Sequence, residues 1–295
     1  MNPKIPVDPL AEMINTLDLK SIENSSTKED LFEGPSQWMP HGRVFGGQVL
    51  AQSLVAATRT IDAREVHSMH GYFLRPGDIN LPITFSVDRL RDGRSFSTRR
   101  VQAFQKNEAI FSMIASFQEH DPGLEHQDEF PSGIPDPESL PSAADLIGDN
   151  PHPVAQYWSK ARPFDMRHVP SAIYFKVEGE PVAHQAVWLK ALGELPESQE
   201  LHTAALAYAS DYSILESIYR RHGIAWSHPG LKSASLDHAM WFHNDVQVDQ
   251  WFDYVMNSDW TGGSRGINHG WIYSQDGTLV ASVVQEGLLR LTPPA

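Results

Sequence analysis

There is no cysteine among the 295 residues. Disulfides, thiolate metal sites and a cysteine nucleophile are excluded together. No stretch approaches the ~20 uncharged apolar residues that a membrane-spanning helix needs, although 41% hydrophobic residues suffice for a globular core. Positive charge is also scarce. The 23 Lys and Arg stand against 37 Asp and Glu, a formal charge of −14, which argues against nucleic acid as a partner because phosphate binding needs a basic surface. An anionic ligand must therefore find a local basic patch. The opening residues MNPKIPVDPLAEMINTLDLK lack a basic stretch followed by an apolar run, and LRLTPPA is not a Ser-Lys-Leu type ending, so a cytoplasmic location is expected. GRVFGG is not followed by the Lys-Ser/Thr of a phosphate loop, and no G-x-G-x-x-G follows a strand. Nucleotide cofactors are not indicated.

What is present reads as two similar halves. The length suggests two domains, or one with a long insertion. After Gly46-Gly47 the run VLAQSLVAATRTI has helical spacing, and strands alternate through residues 65–119 with turns at Asp92-Gly93 and Lys106-Asn107. Residues 120–182 hold ten of the 21 prolines and read as a linker with short helices near 144–146 and 154–160. Strand and helix signals then return: VWLKAL, the helical LHTAALAYASDYSILESIYRRHG, the strands SLDHAMWFH and DQWFDYVMNSDW, and a final hairpin. A shift of 169 sets HGYFLRP (70–76) on AMWFHND (239–245) and AIFSMIA (109–115) on TLVASVV (278–284), which suggests a duplicated unit. The expected division is an N-terminal segment 1–27, a first unit 28–119, the linker 120–182 and a second unit 183–295. Each unit is a long helix and an antiparallel sheet wrapped on it, an α+β arrangement.

Asp211 interrupts the apolar segment ALAYASDYSILESIY. In a helix it would share a face with Ile214, Leu215 and Ile218 and turn toward the core. The competing reading is a helix cap, for which Ser213-Ile-Leu-Glu216 also has capping-box form. The only dense basic segment is RLRDGRSFSTRR (89–100), with five arginines suited to phosphate; equally it is a solvated hairpin, with Arg99 and Arg100 on opposite faces. GGSRG (262–266) fits the serine nucleophile elbow but lacks the following helix and the acid and His in order. The pairs His67/His70 and His238/His243 have odd spacing on strands, unsuited to a shared metal, and read as packed or surface histidines. The aromatic string from Trp241 to Tyr254 reads as core or subunit contact.

HGRVFGGQVLAQSL, VHSMHGYFLRPGD, RLRDGRSFSTRRVQA, YASDYSILES, SLDHAMWFH and QDGTLVASVVQEGLLR, in that order, resemble the acyl-CoA thioesterase II family from about Asp30 to Leu291. The resemblance implies a double hotdog fold and hydrolysis of acyl-CoA thioesters without metal or cofactor. It implies a homo-oligomer, a dimer of double hotdogs or larger. By motif position it implies Asp211, Ser235 and Gln285 as catalytic residues, Ser235 standing where the family has Thr or Ser. Asp211 is then expected at or near the start of the second hotdog helix, acting as base on a water that Ser235 and Gln285 fix. Backbone N–H groups at Gly46 and Gly47 are expected to receive the oxyanion, and Arg94, Arg99 and Arg100 to meet coenzyme A phosphates. Two other readings on the same fold are a non-catalytic acyl-CoA binding protein and an enoyl-CoA hydratase; YASDYSI lacks the His that the second would need.

Overall fold

In the computed structural model, which describes residues 5–23 and 29–292, helix α1 (Pro9–Leu17) starts at Asp8, whose carboxylate accepts from the Ala11 N–H at 2.9 Å. It buries Leu10, Met13 and Leu17. Strands β1 (Lys20–Ile22) and β2 (Asp30–Gly34) precede α2 (Gly46–Thr58), and β3 (Glu65–Phe73), β4 (Ile83–Asp92), β5 (Phe96–Gln105) and β6 (Glu108–Gln118) complete the first half. Lys106 and Asn107 both take positive φ at the β5–β6 turn, the backbone a two-residue hairpin requires. In the second half, α3 (Ala143–Ile147), α4 (Pro153–Gln156) and a π-turn (Tyr157–Ala161) lead to β7 (Phe164–Val169) and β8 (His184–Ala191). Helices α5 (Gln199–Ser210) and α6 (Glu216–Arg221) and strands β9 (Leu231–Ser235), β10 (Asp237–Phe242), β11 (Phe252–Gly262), β12 (Arg265–Ser274) and β13 (Leu279–Leu291) follow.

Among the described residues the strands form one antiparallel sheet, ordered β1-β2-β4-β5-β6-β3-β10-β13-β12-β11-β8-β7, with β9 added on β13. The halves join where β3 pairs β10, setting Met69 opposite Met240, both sealed from solvent. The duplication is visible in register: His70 faces Ile114 in the first half and Ala239 faces Val284 in the second, one residue from the 169 shift. Each half curls its sheet around a helix that is buried over most of its length, and the inner residues of both merge into one core. This is the double hotdog. The second sheet begins earlier than expected, because β7, inside the proline-rich stretch, pairs β8 with Phe164 opposite Ala191. The expected start of the first unit at residue 28 lies outside the described residues.

Two further differences shape the site. The helix expected to run through Asp211 breaks there: α5 ends at Ser210, Asp211 is its C-cap, and α6 begins after Leu215. Asp211 therefore closes the first segment of the second hotdog helix instead of opening that helix. Leu215 caps α6 without a side-chain bond, so neither Asp211 nor Ser213 caps α6. The strand expected over SLDHAMWFH is bent at Leu236 into β9 and β10, and the Asp237 carboxylate fixes the bend by accepting from the Glu286 N–H at 2.7 Å.

Helices α2 and α5 run antiparallel, so the start of α2 abuts the end of α5. Gly47 makes this possible: a Cβ there would lie 2.2 Å from the Tyr208 carbonyl oxygen, a backbone atom that cannot swing aside. Gly47→Ala is expected to destabilise the protein by ~1–3 kcal/mol, the usual cost of overpacking, seen as a lower urea midpoint at unchanged m-value.

Candidate active site

Asp211, Ser235 and Gln285 come from the end of α5, the end of β9 and the middle of β13, and they meet. The Ser235 hydroxyl donates to Asp211 Oδ1 at 2.8 Å, and Gln285 Nε2 donates to Ser235 Oγ at 2.9 Å. The bend at Leu236 accounts for this. Ser235 pairs with Gly287, two residues from Gln285 and hence on the same face of β13. Gly287 leaves room for Leu215, which a Cβ would strike at 2.6 Å.

Asp211 retains some solvent-accessible surface, yet the packed atoms around it desolvate its carboxyl and push its pKa up to about 6. Hydrogen bonds from Ser235, Gln285 and the Gly47 N–H oppose that rise by favouring the charged form. The start of α2 closes over the acid. A Cβ on Gly46 would lie 2.5 Å from Asp211 Oδ2, and Phe45, just before it, stacks on Tyr212, just after the acid, with ring centroids 4.7 Å apart. The Arg162 guanidinium lies 4.6 Å from the Tyr212 ring centroid. Phe45 supplies no side-chain cap to α2, whose first-turn N–H groups have no partner within the helix. The Gly47 N–H is directed at Asp211 itself, and the Gly46 N–H stands beside it, where negative charge is favoured. The two expected oxyanion glycines thus lie at the trio, although sequence placed them in the other unit.

The expected phosphate arginines do not share this place. Arg99 is 2% exposed and donates to Thr60 Oγ1 at 2.8 Å and Asp92 Oδ1 at 2.7 Å, so releasing it to a ligand would break both bonds and strand the buried Thr60 hydroxyl. Arg100 points outward, as strand alternation requires, and is paired with Asp88. Arg94 is exposed, at a hairpin tip whose backbone accepts from Arg64. Arg64 belongs to the far end of the helix pair, where a cavity of about 1100 Å³ is lined by Leu54, Thr58, Leu201 and Phe242 among others and by none of the trio. Ser264 of the apparent nucleophile elbow sits at positive φ in the β11–β12 hairpin turn, with no helix after it. Sequence reasoning read His238 only as a packed or surface histidine. It is packed, and bonded to Gln285 at 2.5 Å; its inward parity with Met240 on β10 was the available signal.

Residues 34–118 match a family model described as the acyl-CoA thioesterase N-terminal domain, and residues 159–288 match one described as acyl-CoA thioesterase. The chain is 36% identical over 299 residues to acyl-coenzyme A thioesterase 8 of Homo sapiens, across 97% of this chain and 92% of that protein. It is 36% identical over 292 residues to acyl-CoA thioesterase 2 of Haemophilus influenzae, across 97% of this chain and 99% of the other. Among solved structures, that of an acyl-CoA thioesterase II, TesB2, from Mycobacterium marinum is 38% identical, covers 96% of this chain and 99% of its own, and superposes with a TM-score of 0.76.

The raised pKa of Asp211 has a consequence for stability. Folding holds its proton more tightly than the unfolded chain does, so this stability is full below about 3.8 and lost as pH rises through about 6. Asp211→Asn removes the cost of a desolvated anion. The variant is expected to be more stable than the native protein by about 2 kcal/mol at pH 8 and by roughly half that at pH 5, as measured by urea unfolding.

Proposed function

The chain belongs to the acyl-CoA thioesterase II family, and from that premise we propose that Asp211, Ser235 and Gln285 hydrolyse acyl-CoA by activating a water. The observation that carries this reading is the convergence of an acid, an alcohol and an amide from three separate elements, bonded in series at 2.8 and 2.9 Å. Asp211 takes a proton from the water as its oxygen attacks the thioester carbonyl carbon. Ser235 and Gln285 hold the acid and the water in line. The N–H groups at Gly46 and Gly47 stabilise the oxyanion, since they open a helix whose positive end faces the reacting atoms. The tetrahedral adduct collapses with loss of the coenzyme A thiolate, to which Asp211 returns its proton. Because a thiol of pKa roughly 8.5 leaves readily as its anion, no strong general acid is required.

We propose that the reaction needs no metal. The groups around Asp211 are a hydroxyl and an amide, poor ligands, and among the described residues no group of three or more His, Asp or Glu could hold one. Arg94, without a carboxylate partner among the described residues, is the arginine of the expected three left free for a phosphate. We propose action on a soluble thioester in the cytoplasm; no helix of the described residues is long and apolar enough to cross a membrane.

Release of thiol from palmitoyl-CoA, followed with a thiol reagent, tests the reading. Asp211→Asn is expected to lose ~10²–10⁴ in kcat while remaining folded. In the native enzyme kcat/KM should climb with pH through about 6, as the base ionises, and then level off. A folded Asp211→Asn protein with native turnover would remove Asp211 as the base.

A further inference from the structure

The hydrogen bonds of the trio continue past Gln285. Gln285 is fully sealed, and its amide has two ends of nearly the same shape and opposite chemistry. Its Nε2 donates to Ser235, which leaves the Ser235 hydrogen for Asp211. With the amide turned over, its carbonyl oxygen would face Ser235 and compete with Asp211 for that hydrogen. The acid would lose a donor. Water cannot reach the sealed Gln285 amide to mend the error, so something must fix the amide's direction.

His238 of β10 is the group in place to do it. Its Nδ1 lies 2.5 Å from Gln285 Oε1, and the ring is 1% exposed. On its far side Nε2 lies 3.0 Å from the hydroxyl of Ser210, the residue joined to Asp211 by a peptide bond. Ser210 Oγ also lies 2.8 Å from the Ala207 carbonyl, which anchors it in the last turn of α5; its single hydrogen serves one contact at a time, and a bare Nε2 draws it to His238. The bonds therefore form a closed ring: Ser210, His238, Gln285, Ser235, Asp211 and back through the chain. Burial lowers the imidazole pKa to about 4, so the ring is neutral near pH 7 and carries a single hydrogen. A hydrogen on Nδ1 demands the carbonyl of Gln285 and turns the NH₂ toward Ser235; a hydrogen on Nε2 would invite the reverse.

We infer that His238 is a positioning residue for thioester hydrolysis, acting as an Nδ1–H donor that holds the Gln285 amide with its NH₂ toward Ser235 and so directs the Ser235 hydroxyl onto Asp211. This rests on the reading of Asp211, Ser235 and Gln285 as the catalytic trio. The titratable groups facing Asp211 are Tyr157 of the π-turn, Tyr219 of α6 and Tyr254 of β11, all held above the ordinary phenol range by burial. Gly47 of α2 contributes an N–H and Phe73 of β3 an uncharged ring. Within this set only Asp211 titrates between pH 5 and 8.

The test compares His238→Leu, His238→Asn and Asp211→Asn in palmitoyl-CoA hydrolysis across pH 5 to 8. His238→Leu fills the space without a donor. It is expected to lower kcat by ~10- to 100-fold, the range for groups that orient a functional one, with KM close to the native value. The acidic limb should move to higher pH, because hydrogen bonds that favour ionised Asp211 are weakened. His238→Asn, whose amide N–H replaces that of Nδ1, should recover most of the rate and return the limb toward its native position. A His238→Leu enzyme with native kcat and native limb would overturn the inference, as would a His238→Asn enzyme equally impaired. Long-range ¹⁵N–¹H NMR of the native protein at pH 7 should show the His238 ring neutral and protonated on Nδ1; the Nε2–H form would overturn the inference even if no variant folds. If Asp211→Asn is inactive and His238→Leu is native-like, the inference falls and the trio stands; if Asp211→Asn retains native turnover, both fall.

Discussion

The site depends on one carboxylate held, partly dry, where two antiparallel helices meet end to end. Burial drives Asp211 toward its neutral form and three hydrogen bonds draw it back, leaving a pKa of about 6. That balance suits a base near neutral pH. Full exposure would leave a weaker base, and deeper burial without donors would keep the acid protonated. The packing that sets the balance is specific. Gly46 and Gly47 let α2 close on the acid, while Phe45 and Tyr212 stack to brace the junction from both sides.

The duplication has been put to unequal use. The first half contributes a helix start whose N–H groups point at the acid, and the second contributes the acid, the alcohol and the amide. Neither half holds the whole arrangement. In the proposed mechanism the pairing of β3 with β10 and the packing of α2 on α5 are therefore part of the chemistry, because they fix the distance between the N–H groups and the carboxylate. A continuous sheet suits this role, since adjacent strands are held at one spacing by their ladder.

Much of the fold was legible in the sequence because hydrophobic periodicity reports local structure directly. The alternation in β5, the turn at Lys106-Asn107 and the helical spacing after Gly47 all appear where expected. The break at Asp211 was signalled only by the Asp itself, read as a possible cap of the helix that follows; that it closes α5 instead depends on contacts with β9 and α2 that sequence does not show. The bend at Leu236 was hidden for a similar reason: it is fixed by Asp237 holding the backbone of Glu286, 49 residues away. Arg99 misled because clustered charge looks alike whether it faces solvent or is buried against Thr60 and held by Asp92. The trio's residues entered by motif, but their bonding order, and the histidine behind Gln285, needed coordinates.

A double-mutant cycle on kcat/KM with Ser235→Ala and Gln285→Leu tests the central claim most directly, that the three side chains act as one unit around a single water. If they do, the double variant will be scarcely slower than the more impaired single variant. Losses that multiply across the two substitutions would show that Ser235 and Gln285 act independently and would contradict the account.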